Sequence, residues 1–99
     1  EDGDIFYRLA QALAQEDRHE EAIKAYDRAL EDDDLKDPSD TYFWLAISHM
    51  QISNWDLATS AFRSAAKFDE KMAKQSRQYI RYIAGEKRRL AALKDMLEG

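Results

Sequence analysis

Apolar residues recur along this chain at helical spacing, in successive stretches separated by short polar breaks. Ile5, Phe6, Leu9, Ala10 and Leu13 fall on one stripe and predict a helix over about 4–16. Glu16, Asp17 and Arg18 make a polar turn. A second helix over about 20–32 buries Ala22, Ile23, Tyr26, Ala29 and Leu30, with Glu20 placed four residues before Lys24 as a modest stabilising pair. The acidic run 31–34 is unfavourable at the negative end of a helix dipole, so the helix is expected to stop there. Pro38 bars its continuation, and Ser39 or Asp40 is available to cap the helix that follows.

The third helix, about 39–52, has apolar residues on two sides. Tyr42, Leu45, Ala46, His49 and Ile52 share one face at 100° per residue, and Phe43, Trp44, Ile47 and Met50 share another, broken by Gln51. Such a helix is buried on both sides or presents one side to a partner. Ser53 and Asn54 form the next turn, with Asn54 as the cap of a fourth helix over about 55–68 that buries Leu57, Ala58, Ala61, Phe62 and Ala65. The last stretch, about 70–97, reads as one long helix. A third hairpin turning at Gly85 is the alternative, but no Ser, Thr, Asn or Asp stands there to cap a new helix.

One pattern occurs twice. Ala22, Tyr26 and Ala29 return 36 residues later as Ala58, Phe62 and Ala65, preceded in turn by Leu9-Ala10 and Leu45-Ala46 and by the aromatics Phe6 and Tyr42. A period in the thirties with small and large apolar residues at fixed offsets marks stacked helical hairpins. Alanine where helices cross lets their axes approach, and the aromatic fills the space between neighbouring hairpins.

Composition agrees with an all-α domain. The 99 residues suit one domain, and three Gly and one Pro leave mostly good helix formers. The chain has no cysteine, which excludes disulfides and thiol catalysis. No apolar run approaches a membrane span, so no membrane insertion by this segment is expected. The chain opens at Glu1 rather than Met and reads as an excised or processed piece. The net charge of −5 conceals a polarity: residues 1–40 hold 14 acidic and 5 basic side chains, whereas 71–99 hold 3 and 8. A whole-domain nucleic-acid binder would be basic overall, so nucleic acid is not the expected partner. The polarity permits head-to-tail attraction between copies.

These offsets resemble the tetratricopeptide repeat, whose unit is two antiparallel helices in about 34 residues. Phe6, Leu9, Ala10, Leu13, Ala22, Tyr26 and Ala29 look like one signature set, and Tyr42, Leu45, Ala46, Ala58, Phe62 and Ala65 like a second. His49 departs where a bulky apolar residue is usual. The resemblance implies two hairpins, 4–37 and 38–70, stacked as a short right-handed solenoid, with 71–98 as a C-terminal capping helix or degenerate third repeat. It also implies a protein-interaction adaptor whose first helices line a concave groove. That groove would hold Tyr7, Arg8, Gln11 and Gln15 from the first hairpin and Phe43, Trp44, Ile47, Met50 and Gln51 from the second. The last helix would add Lys74, Arg77, Gln78 and Arg81. Some members of the family clamp a partner's C-terminal carboxylates with Lys and Asn. Of the matching places here (Tyr7, Gln11, Trp44, Lys74, Gln78) only Lys74 fits, so a ligand with apolar side chains and some acidic residues is expected.

Signs of catalysis are lacking. The segment 19–23 opens like a helical zinc-protease motif but has Ile23 where a second His is required. Asp32, Asp33 and Asp34 are not followed by the glycine and terminal Glu of a calcium loop. His19 reads as a turn residue and His49 as a satisfied core residue. No enzyme activity, metal or cofactor is therefore expected. The last helix carries Leu90, Leu93, Met96 and Leu97 beyond the reach of a 14-residue neighbour. They dock on another copy, are covered by flanking sequence, or fold back at Gly85. The first of these gives the alternative function, assembly or homodimerisation through the C-terminal helix.

Overall fold

Five α-helices make up the computed structural model, which describes residues 2–99: α1 (Asp2–Gln15), α2 (His19–Leu30), α3 (Pro38–Gln51), α4 (Trp55–Ala66) and α5 (Glu70–Glu98). Glu1, on which the excised-piece reading rests, lies outside the described residues. No strand occurs among the described residues.

Each hairpin turns on a single residue in the left-handed region. Asp17 has φ 61° and Ser53 has φ 63°, and the two positions are one 36-residue period apart. At the first turn the amide of Arg18 donates to Leu13 O at 2.9 Å and that of Asp17 to Ala14 O at 3.0 Å. At the second, Asn54 donates to His49 O at 2.8 Å and Ser53 to Met50 O at 3.0 Å. This paired arrangement satisfies the last carbonyls of α1 and α3 and reverses the chain within three residues.

The helix starts differ from expectation in two places. Asp37, not Ser39 or Asp40, caps α3: its Oδ1 accepts from the Asp40 amide at 3.0 Å, and Pro38 occupies the first turn. Proline there gives up an amide that has no helical partner anyway, so the helix starts at Pro38 rather than after it. Asn54 stands at the N-cap of α4, but its side chain makes no capping bond. Its Nδ2 lies 3.3 Å from His49 Nδ1 instead. That contact makes His49 a satisfied core residue, and burial pushes its imidazole pKa down despite the raising influence of Asp27. Asp69 caps α5 by accepting from the Met72 amide at 2.7 Å.

Each helix packs chiefly on its neighbours in sequence, so α2, α3 and α4 each have a packed helix on either side. Ala10, Ala22, Ala29, Ala46, Ala58 and Ala65 are fully buried, as are the two repeat aromatics Tyr26 and Phe62. Phe62 stacks on Tyr79 of α5 with centroids 5.0 Å apart and planes at 6°, and meets Phe43 edge-on at 5.5 Å. One aromatic cluster thus joins α3, α4 and α5. Ser76 of α5 is fully buried, and its hydroxyl finds no partner among the described residues.

Three residues assigned to buried stripes are exposed: Ile5 and Leu9 of α1 and Leu57 of α4. No helix precedes α1 among the described residues to cover the first two, and Leu57 falls on the outer side of α4.

The continuous helix is what forms at the C-terminus. At 1.5 Å per residue α5 runs about 43 Å, against about 18 Å for α4. Lys87 Nζ reaches Asp56 Oδ1 at 2.6 Å, which marks where α4 begins and its cover of α5 ends. Residues 88–98 project past that point, all exposed, along a molecule 53 Å in its longest extent. Gly85 does not turn the chain: it has ordinary helical φ, and a Cβ placed on it meets nothing within 4 Å. Gly85→Ala is accordingly expected to stabilise the protein by about 1 kcal/mol. That is roughly a 4–8 °C rise in melting temperature by circular dichroism. A lower melting temperature would show that residue 85 needs its missing side chain.

Candidate functional site

The helices α1, α3 and α5 share one face of the stack, and three hollows lie along it. The first, about 300 Å³, is lined by Asp4, Tyr7 and Arg8 of α1, by Leu35, Lys36 and Asp37 of the connecting loop, and by Asp40 and Thr41 of α3. The second, about 360 Å³, is lined by Gln11, Ala14, Gln15, His19, Trp44, Ile47 and Ser48. The third, about 350 Å³, lies between α3 and α5 and is lined by Met50, Gln78, Tyr79 and Tyr82. Asp40, Trp44 and Ile47 come to this side because they sit at helical spacing on α3.

A chain of hydrogen bonds runs from the core to the first hollow. Tyr26 Oη donates to Gln11 Oε1 at 2.8 Å, Gln11 Nε2 donates to Tyr7 Oη at 2.7 Å, and Tyr7 Oη donates to the Asp40 carboxylate. Burial, then the hydrogen bond to Asp40, pushes the Tyr7 hydroxyl well above the usual phenol range. Burial and the Asp40 charge do the same to Tyr26. Both tyrosines therefore stay protonated as fixed neutral donors. The chain holds the Gln11 amide in one orientation at the edge of the second hollow, because each of its two ends already has a partner.

Trp44 stands at the centre. Its side chain packs edge-on against Phe43, with centroids 5.4 Å apart and planes at 89°, while the residue remains 38% exposed. To one side lies the acidic end of the face, where Asp4, Asp37 and Asp40 outnumber Arg8 and Lys36. On the other side α5 presents exposed Lys74 and Arg81, and Arg77 is drawn to Glu70 at 3.3 Å.

The structure divides the groove residues expected from the sequence. Tyr7 and Arg8 line the first hollow, and Gln11, Trp44 and Ile47 the second. Phe43 does not face the groove. It is buried against Phe62 and Tyr79, at 5.5 and 5.6 Å, and so acts as the floor on which Trp44 rests. Gln51, Lys74, Arg77 and Arg81 are exposed but line none of the three hollows. Leu90, Leu93, Met96 and Leu97 are exposed on the projecting part of α5.

The hollows are also lined by residues outside the expected groove set, Asp40 and Tyr82 among them. Asp40 was assigned only to capping, although it sits four residues before Trp44 and hence on its face. Tyr82, four residues after Gln78, could have been found by the same spacing.

Among the described residues no three His, Cys, Asp or Glu side chains gather as a metal site. No described helix is long and apolar enough to cross a membrane. Compared with known proteins, residues 3–34 match the family model described as tetratricopeptide repeat, a span that takes in α2 and all of α1 but Asp2. No curated protein and no solved structure matches the chain.

Proposed function

We propose that this chain, whose residues 3–34 match the tetratricopeptide repeat model, is a non-catalytic adaptor that takes a peptide or helix of a partner protein along the face shared by α1, α3 and α5. Repeats of this family are in general protein–protein interaction modules. The observation that carries the finer reading is the half-covered Trp44, which lines the second hollow beside Ala14 and Ile47, with the third hollow on the other side of α3. Aromatic residues held rigid on one edge and open on the other are typical anchors of interfaces, since they add large contact area at small entropic cost. The ligand that fits has large apolar side chains spaced to enter the two hollows. A basic side chain would suit the Asp4–Asp40 end and an acidic one the Lys74–Arg81 end.

Selection from a displayed random-peptide library against the isolated chain, followed by amide chemical-shift mapping, tests this. Shifts are expected to concentrate at Gln11, Trp44, Ile47, Gln78 and Tyr82. Shifts clustered on the outer sides of α2 and α4 would overturn it.

A second reading has an observation of its own. Leu90, Leu93, Met96 and Leu97 lie beyond the last cover that α4 provides, with Met96 and Leu97 almost fully exposed. An apolar stripe of that kind on a projecting helix suits self-association, so the chain is also proposed as an assembly module acting through α5.

A further inference from the structure

Equivalent positions in the two hairpins have opposite environments. Thr41, Leu45 and Ser48 of α3 are 0%, 6% and 1% exposed. One period earlier on α1 stand Ile5, 62% exposed, Leu9, 48% exposed, and Ala12, also exposed. The difference is the preceding helix. α2 packs on α3, with His19 Nδ1 3.2 Å from Ser48 Oγ, whereas nothing described lies on the corresponding side of α1. A helix stack that ends in solvent usually carries a polar outer face. α1 instead presents Ile, Leu and Ala, the residue types that a covering helix would bury.

The other end of the molecule has a helix with nothing to cover. Residues 88–98 of α5 extend about 16 Å past α4, enough to lie along the roughly 10 Å of α1 between Ile5 and Ala12. Charge differs in sign between the two ends. The 40 residues that contain the first hairpin hold 14 acidic and 5 basic side chains, while residues 87–98 hold four basic (Lys87, Arg88, Arg89, Lys94) and two acidic (Asp95, Glu98). Of these cations Lys87, Arg89 and Lys94 are paired to Asp56, Glu86 and Glu98. Arg8 is the one cation on α1, between Asp2 and Asp4 before it and Glu16 just past its end.

We infer that the cover for α1 is α5 of a second copy, with Leu90, Leu93 and Leu97 of one molecule lying on Ile5, Leu9 and Ala12 of the next. This rests on the reading of α5 as a self-association element and adds the surface that receives it. Because the two surfaces differ, the contact is heterologous. Each added copy leaves one head and one tail open, so the assembly grows into a chain or closes as a ring. Pairing tail with tail would set two stretches of net positive charge against each other, and the difference in sign would be lost.

The test uses sedimentation of the whole chain with Leu9→Glu at the head and Leu93→Glu at the tail. Both positions are exposed, so both variants should keep their helical circular dichroism. Wild type is expected to gain mass with concentration, and to lose it between low and high salt as the charges are screened. Either substitution places a carboxylate in the apolar contact and should weaken association at least about tenfold. Mixed in equal amounts, the two variants retain one intact tail and one intact head, and should form a dimer and nothing larger. If Leu9→Glu associates as wild type does, the head-to-tail contact is wrong although α5 still self-associates. A wild type that stays monomeric at high micromolar concentration removes both readings and leaves the groove untouched.

Discussion

Replacing Phe62 by alanine is expected to remove about 3–5 kcal/mol of stability, the usual cost of deleting a buried aromatic ring. The ring is fully buried, stacked on Tyr79 at 5.0 Å and set edge-on to Phe43 at 5.5 Å. Three helices therefore lose a shared partner at once. Neighbours cannot close the space easily, because the surrounding crossings are built on fully buried Ala58 and Ala65. Domains of this size have about 5–15 kcal/mol in total, so the variant should be marginal at room temperature, with its urea midpoint displaced accordingly. Leu57→Ala is the matched control. It sits five residues away on the same helix but is 57% exposed, and should cost under about 1 kcal/mol. Equal losses at the two positions would mean that Phe62 is not the centre of the α3–α4–α5 packing.

The parts of this fold that could be read from the amino-acid order are those governed by local spacing. The two Ala-aromatic-Ala sets, Ala22, Tyr26, Ala29 and Ala58, Phe62, Ala65, are all fully buried. Their small and large residues determine how closely helices cross, whatever else surrounds them. The exceptions depend on what stands next to a helix. Leu9 and Leu45 are the same residue at the same offset, yet only the helix of Leu45 has a preceding helix packed on it among the described residues. Spacing within a single helix does not distinguish them. Phe43 and Trp44 are adjacent on one apolar side of α3, but a 100° step turns Phe43 toward Phe62 and leaves Trp44 at the surface. The Tyr26–Gln11–Tyr7–Asp40 chain joins residues up to 33 positions apart and has no signature in any one helix. Asp37 caps α3 because Pro38, which bars continuation of a helix, starts one when it stands in the first turn. Candidate groove residues on α1 and α3 therefore line hollows more often than those on α5. On α5 the cations Lys74, Arg77 and Arg81 are exposed, and Gln78, Tyr79 and Tyr82 line the third hollow instead.

Trp44→Ala is expected to weaken a peptide selected against the wild-type chain by about 30-fold or more, the roughly 2 kcal/mol that defines an interface anchor. The same substitution should lower folding stability by only about 1–2 kcal/mol. What it removes from the fold is one edge contact with Phe43 and partial cover of apolar surface. The two magnitudes separate the explanations. A loss of 1–2 kcal/mol from a domain holding about 5–15 leaves nearly every molecule folded, so lost affinity cannot be assigned to unfolding. Isothermal titration at 25 °C alongside a thermal melt makes the comparison, with Trp44→Phe expected to recover part of the affinity by restoring a ring over the second hollow. Undiminished binding by Trp44→Ala would put the ligand elsewhere on the molecule. A stability loss as large as that of Phe62→Ala would instead assign Trp44 to the core, and the exposed part of its ring would then be the edge of the packing rather than the start of a site.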